Sequence, residues 1–62
     1  MDKRIFYNVE EVAAILDVSN GHAYKVIRSL NDELKEQGFI VIAGRIPKAY
    51  FNEKYYGLHS VM

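Results

Sequence analysis

The run SNGHAYKVIRSLNDELKEQG, from Ser19 to Gly38, constrains the fold more than any other part of the chain. Ala23, Val26, Ile27, Leu30 and Leu34 recur at spacings of three and four. That spacing sets them on one stripe of a helix and requires a core for the stripe to face. Ser19 has the chemistry of an N-cap, since its hydroxyl accepts a hydrogen bond from an orphan N–H of the first turn. Gly38 lies where a chain leaves a helix through a left-handed residue. The pattern predicts a helix over residues 20–37. Its other face opens with Asn20, Gly21 and His22, carries Lys25 and Arg28, and turns acidic at Asp32, Glu33 and Glu36. Small polar residues at a helix start with bases a turn later suit a helix that reads DNA in the major groove.

Upstream, Asn8-Val9-Glu10-Glu11 has the form of a capping box. It predicts a short helix over residues 9–16 that buries Val9, Val12, Ala13 and Leu16, with Ala14 and Ile15 at the boundary. Glu10 and Glu11 favour the positive end of that helix's dipole. Phe6 or Tyr7 stands near the N′ position, ready to staple onto the first turn. Ile5-Phe6-Tyr7 itself is either an edge strand or an apolar anchor across the core. Asp17-Val18-Ser19 is a three-residue break whose central Val18 is apolar, which pins the angle between the two helices. That is the helix-turn-helix arrangement; helical hairpins with turns of this length also occur as plain core.

After Gly38 the period changes. Phe39-Ile40-Val41-Ile42 is β-branched and aromatic and reads as a strand. Ala43-Gly44 supplies a turn, and Arg45-Ile46 returns until Pro47 stops the ladder. The expectation is a two-stranded hairpin over about residues 39–46 acting as a wing. Pro47 then opens a last helix to Tyr56, with Tyr50, Phe51 and Tyr55 on its apolar side. Gly57 is its expected stop, and residues 58–62 its tail. The fold class is α+β and mainly helical: a winged helix-turn-helix with a C-terminal helix, one domain over residues 1–62.

VEEVAAILDVSNGHAYKVI followed by AGRIPKAYF resembles the winged helix-turn-helix module of the excisionase type, related to MerR-like DNA-binding domains. The matching features are Asp17-Val18-Ser19 at the turn, Tyr24 and Ile27 in the second helix, and Gly44-Arg45-Ile46-Pro47 stepping into a final helix. The resemblance covers about residues 5–56. The chain departs from the pattern in a second helix about two turns longer than usual and in a wing with a single base near its tip. The resemblance implies a small phage or mobile-element protein. It would act in transcription regulation or as a recombination directionality factor.

Composition narrows the choices. A chain of 62 residues is one small domain and buries only about 60% of its unfolded surface. A substrate cleft is hard to build at this size, so no enzymatic role is expected. The absence of cysteine excludes disulfides and thiolate metal sites. No apolar run reaches the roughly 18 residues of a membrane span. MDKRIFYN lacks the apolar region of a signal peptide, which makes the cytoplasm the expected compartment. Eight bases balance eight acids. The bases from Lys25 to Arg28 and from Arg45 to Lys54 stand apart in sequence from Glu10, Glu11 and the acids at 32–36. A dipolar domain of this kind binds double-stranded DNA modestly alone. It would depend on a homodimer, a cooperative array, or a protein partner such as a recombinase.

For DNA contact the candidates begin with Ser19 at the helix start. Asn20 and His22 are set for base edges, with Lys25 and Arg28 one and two turns on. Gly21 either lets a phosphate approach the backbone or is merely tolerated in the first turn. Tyr24 either gives its hydroxyl to a phosphate or packs as core. Arg45 sits where a wing crosses to the neighbouring minor groove, and Lys48 and Lys54 suit the DNA backbone. Asp17, Ser19 and His22 contain the residue types of a catalytic triad, but they crowd one turn with no pocket implied. His22 and His59 are the only histidines, so neither a metal nor another cofactor is expected. Tyr50, Phe51, Tyr55 and Tyr56 close a core, stack bases or meet a partner, with Tyr56 the one expected to be exposed. The acids at 32–36 form a solvated face or dock a basic partner. The alternative function is therefore a winged-helix protein-interaction module, an antirepressor or inhibitor.

Overall fold

The apolar stripe between Ser19 and Gly38 becomes the wall on which the other elements are laid. A computed structural model describes residues 5–60, with side chains given through Tyr55. The exposure expected for Tyr56, and the last two tail residues, lie outside that description. In chain order the elements are β1 (Phe6–Asn8), α1 (Val9–Leu16), α2 (Asn20–Glu36), β2 (Arg45–Pro47) and α3 (Lys48–Ser60). Ala23, Ile27, Leu30 and Leu34 of α2 are buried against Val12 and Ala13 of α1, Ile46 of β2 and Phe51 of α3. Val9, Leu16, Val18 and Val26 pack around this group half-buried. The architecture is α+β, mainly helical and winged-helix-like, as the sequence predicts.

The helix ends follow from local chemistry. Asn8 Oδ1 accepts from the Glu11 N–H at 2.8 Å, and the Asn8 N–H donates to Glu11 Oε1 at 2.9 Å, so the capping box is complete. Ser19 Oγ accepts from the His22 N–H at 3.1 Å and starts α2. At the far end of α2 the Phe39 N–H donates to the Leu34 carbonyl and the Gly38 N–H to that of Lys35, both at 3.0 Å. This double turn-back needs a left-handed residue, which Gly38 provides at φ +94°. The chain leaves α1 the same way, but through Asp17 at φ +59° and ψ +50°. Its N–H and that of Val18 both turn back onto the Ala13 carbonyl.

The sheet differs from the expected hairpin in which segments pair. β1 and β2 run antiparallel with Tyr7 opposite Ile46 and Asn8 opposite Arg45. Residues 39–42 are not a strand, and residues 39–44 form a loop between α2 and β2. The turn explains the difference. The Arg45 N–H donates to the Ile42 carbonyl at 3.0 Å, with positive φ (+74°) at Gly44 and not at Ala43. That is a type II turn, which splays the flanking strands apart instead of twisting them together. Of the segment Ile5-Phe6-Tyr7, Phe6 and Tyr7 lie in β1 with Ile5 just ahead of it, and the Tyr7 ring meets Phe51 edge-on at 5.4 Å.

α3 begins at Lys48, because Pro47 closes β2. It also runs through Gly57, which does not stop it. A helical glycine costs about 1 kcal/mol relative to alanine, a handicap and not a block. Phe51 stacks on Tyr55 at 4.8 Å. Where α3 crosses α2, the Tyr50 hydroxyl donates to Glu33 Oε1 at 2.6 Å and Lys54 Nζ lies 3.2 Å from the same oxygen. Glu33 is therefore a brace between helices and not part of a purely solvated face. Lys54, expected near the DNA backbone, spends its charge there and over the Tyr50 ring.

Two outcomes test this description. The hydrogen bond from Tyr50, with the one from Lys54, lowers the Glu33 pKa. The brace is then fully present above the unfolded carboxylate value, about 4.3, and is lost as pH falls through the lowered folded value. Tyr50 is raised by its bond to Glu33, and so is Lys54, which sets a second loss at alkaline pH. Urea midpoints measured across pH should fall on the acid side in the native chain and more gently in Glu33→Gln. Separately, Asp17→Gly relieves a left-handed side chain and should raise stability by about 0.5–1 kcal/mol, with an unchanged urea slope.

Candidate nucleic-acid interface

The second helix of the helix-turn-helix offers its free face to solvent. Asn20, Gly21, His22, Tyr24, Lys25 and Arg28 are all exposed, with Tyr24 at 44%. Successive residues turn by about 100° around a helix. On that projection Gly21, Tyr24, Lys25, Arg28 and Lys35 share an arc of about 100°. Asn20 borders the arc on its Tyr24 side, and His22 lies about 60° beyond Lys25, toward the opposite flank. Ser19 is engaged as the cap and holds the first turn in place. The arc carries three bases against one acid, Asp32, although the chain as a whole is neutral. Lys35 was absent from the sequence-derived candidates; its spacing of seven from Arg28 was the available signal.

Gly21 has open space around it: a Cβ built there would meet no atom within 4 Å. No packing contact requires glycine at this position. Tyr24 is not core, which leaves its ring and hydroxyl at the surface.

The wing turn faces the same helix. A cleft of about 300 Å³ separates Tyr24, Arg28 and Lys35 of α2 from Val41, Ala43 and Gly44 of the loop. Its floor includes Asn31, a residue that sequence reasoning passed over. Asn31 is 6% exposed, the one buried polar side chain among the described residues. Its amide donates to the Ile42 carbonyl at 3.2 Å and to the Arg45 carbonyl at 2.8 Å. Burying an amide costs about 1–3 kcal/mol unless such bonds form. Its Oδ1 has no hydrogen-bond partner among the described residues. Arg45 follows this turn with its side chain exposed. Lys48 belongs to another neighbourhood: its N–H donates to the Ile5 carbonyl and its ammonium lies 5.4 Å from the Tyr7 ring centre.

No group of three or more His, Cys, Asp or Glu side chains among the described residues is arranged for a metal ion. No helix among them is long and apolar enough to cross a membrane.

A short helix, a three-residue turn, a longer helix with a basic exposed arc and a wing turn set beside it define a protein of the winged-helix-like, helix-turn-helix class. No family model and no solved structure matches the chain. Over 50 residues it is 38% identical to the ICEBs1 excisionase of Bacillus subtilis (strain 168), covering 81% of this chain and 78% of that protein. The chain belongs to the excisionase family.

Gly21→Ala separates the two explanations of this glycine. The substitution should stabilise the fold by about 0.5–1 kcal/mol, since helix propensity improves and nothing clashes. Lower duplex affinity in the same variant, read by fluorescence anisotropy, would identify a phosphate approaching the backbone. Unchanged affinity would identify a tolerated glycine.

Proposed function

We propose that this protein is a recombination directionality factor that binds double-stranded DNA. The amino-terminal half of α2 enters the major groove and the wing turn with Arg45 lies on the flanking groove. The observation that carries this reading is the basic arc of α2, on a chain that belongs to the excisionase family. Ser19 sets the helix start, and Asn20 and His22 reach base edges. Lys25 and Arg28 contact bases or phosphates, Tyr24 and Gly21 lie against the backbone, and Lys48 reaches a flanking phosphate. The protein carries out no chemistry of its own. A small regulator of transcription would use the same contacts. A neutral chain of this size supplies few phosphate contacts, so useful affinity comes from a homodimer, a cooperative array or a recombinase partner.

One observation supports the second reading, a protein-interaction module. Ile40 is 96% exposed and Phe39 59%, beside a groove of about 520 Å³ that Leu34, Pro47 and Tyr50 also line. Both readings hold together if the groove serves a protein partner while the arc serves DNA.

Binding to a mixed duplex pool across a salt series tests the proposal. Affinity should fall with salt at a slope of about −0.9 per phosphate contacted. Arg28→Glu should weaken binding by about tenfold or more, the range expected for one lost charge-assisted contact. No binding at low salt would refute the DNA reading and leave the protein-interaction module as the better account.

A further inference from the structure

Asn31 lies where an apolar residue would suit the core, one helical turn beyond Ile27 and Arg28. Both of its contacts go to one structure, the four-residue turn from Ile42 to Arg45. The Ile42 carbonyl, which already receives the Arg45 N–H, takes one amide hydrogen; the Arg45 carbonyl takes the other. In a tight hairpin the Arg45 carbonyl would be bonded by the Ile42 N–H. Here a side chain of α2 does that work, and the turn is fastened to the helix instead of to a strand.

Little else among the described residues holds this loop. Phe39, Ile40 and Ile42 are exposed by half or more, and only Val41 packs against the core. Sheet pairing begins only at Arg45, opposite Asn8. The amide therefore sets how far the wing turn stands from the arc that carries Tyr24, Lys25 and Arg28.

We propose that Asn31 is a positioning residue for DNA binding. It touches no DNA and holds the turn so that Arg45 and the α2 arc engage one duplex in one register. This rests on the DNA reading above and adds the device that makes the wing rigid before binding. A contact group fixed in advance does not have to be ordered when the duplex arrives.

The test is a double-mutant cycle on one selected duplex. Asn31→Leu puts an apolar side chain of similar size in the core and removes both donors, and Arg45→Ala removes the wing cation. In the native chain Arg45→Ala should weaken binding about five- to tenfold and lower the salt slope by about one. In the Asn31→Leu background the same change should cost less than about twofold, because the arginine is no longer held in register. The preferred base sequence under α2 should stay the same. If Asn31 mattered only for folding, Arg45→Ala would retain its full effect in both backgrounds, and that additive result would overturn the proposal. Native binding by Asn31→Leu would overturn it too.

A measurement on the native chain covers the case in which Asn31→Leu does not fold. The Asn31 side-chain amide protons should exchange with solvent far more slowly than those of exposed Asn20, with and without DNA. Equal exchange rates would refute the clamp. Failure of the native chain to bind any duplex at low salt is a different result, which removes the DNA reading and this role with it.

Discussion

The buried stripe of α2 is the largest single contribution to the core, and α1, β2 and α3 share that core with it. A chain of 62 residues has too little interior for two independent hydrophobic centres. The stripe of Ala23, Ile27, Leu30 and Leu34 is thus shared by α1, β2 and α3, each of which contributes one or two buried side chains. The consequence for function is geometric. The helix whose inner face supplies half of the buried core carries the basic arc on its outer face. The part of α2 beyond Arg28 serves the same end. It carries Leu30 and Leu34 for the core, Glu33 for the brace to α3 and Asn31 for the wing turn.

What could be read from the sequence was what local chemistry decides. Asn8 with Glu11, Ser19 with the His22 N–H, and Gly38 at the helix end are contacts between residues three to five apart. The helix bounds over 9–16 and near 20–37 followed from them. The helix-turn-helix followed as well, because the apolar Val18 lies in a break too short to hide it elsewhere. Non-local choices were less legible. Phe39-Ile40-Val41-Ile42 has strand composition, yet the positive φ at Gly44 alone makes a turn that directs β2 toward β1. Gly57 carries a stop signal, yet its cost is small against the hydrogen bonds of a continuing helix.

The candidate site shows the same division. That Lys25 and Arg28 lie outward follows from the apolar spacing alone. Asn31 could not be singled out that way, since an asparagine within a run of polar residues looks solvated until the turn that it serves is known. Lys54 illustrates the converse: it looks available in sequence, and in the fold it lies over the Tyr50 ring and is engaged by Glu33.

The pairing of β1 with β2 joins segments from nearly opposite ends of the fold. α1 packs on α2, its neighbour in the chain, through short connections, whereas the sheet must wait for a long loop to close. During synthesis β1 emerges early with its edge unpaired and stays so until residues 45–47 follow. The same closure seats Arg45 beside the turn held by Asn31. The register that sets Arg45 opposite Asn8 thus depends on two segments far apart in sequence meeting, and α2 can form from local contacts before the turn beside it has its partner strand.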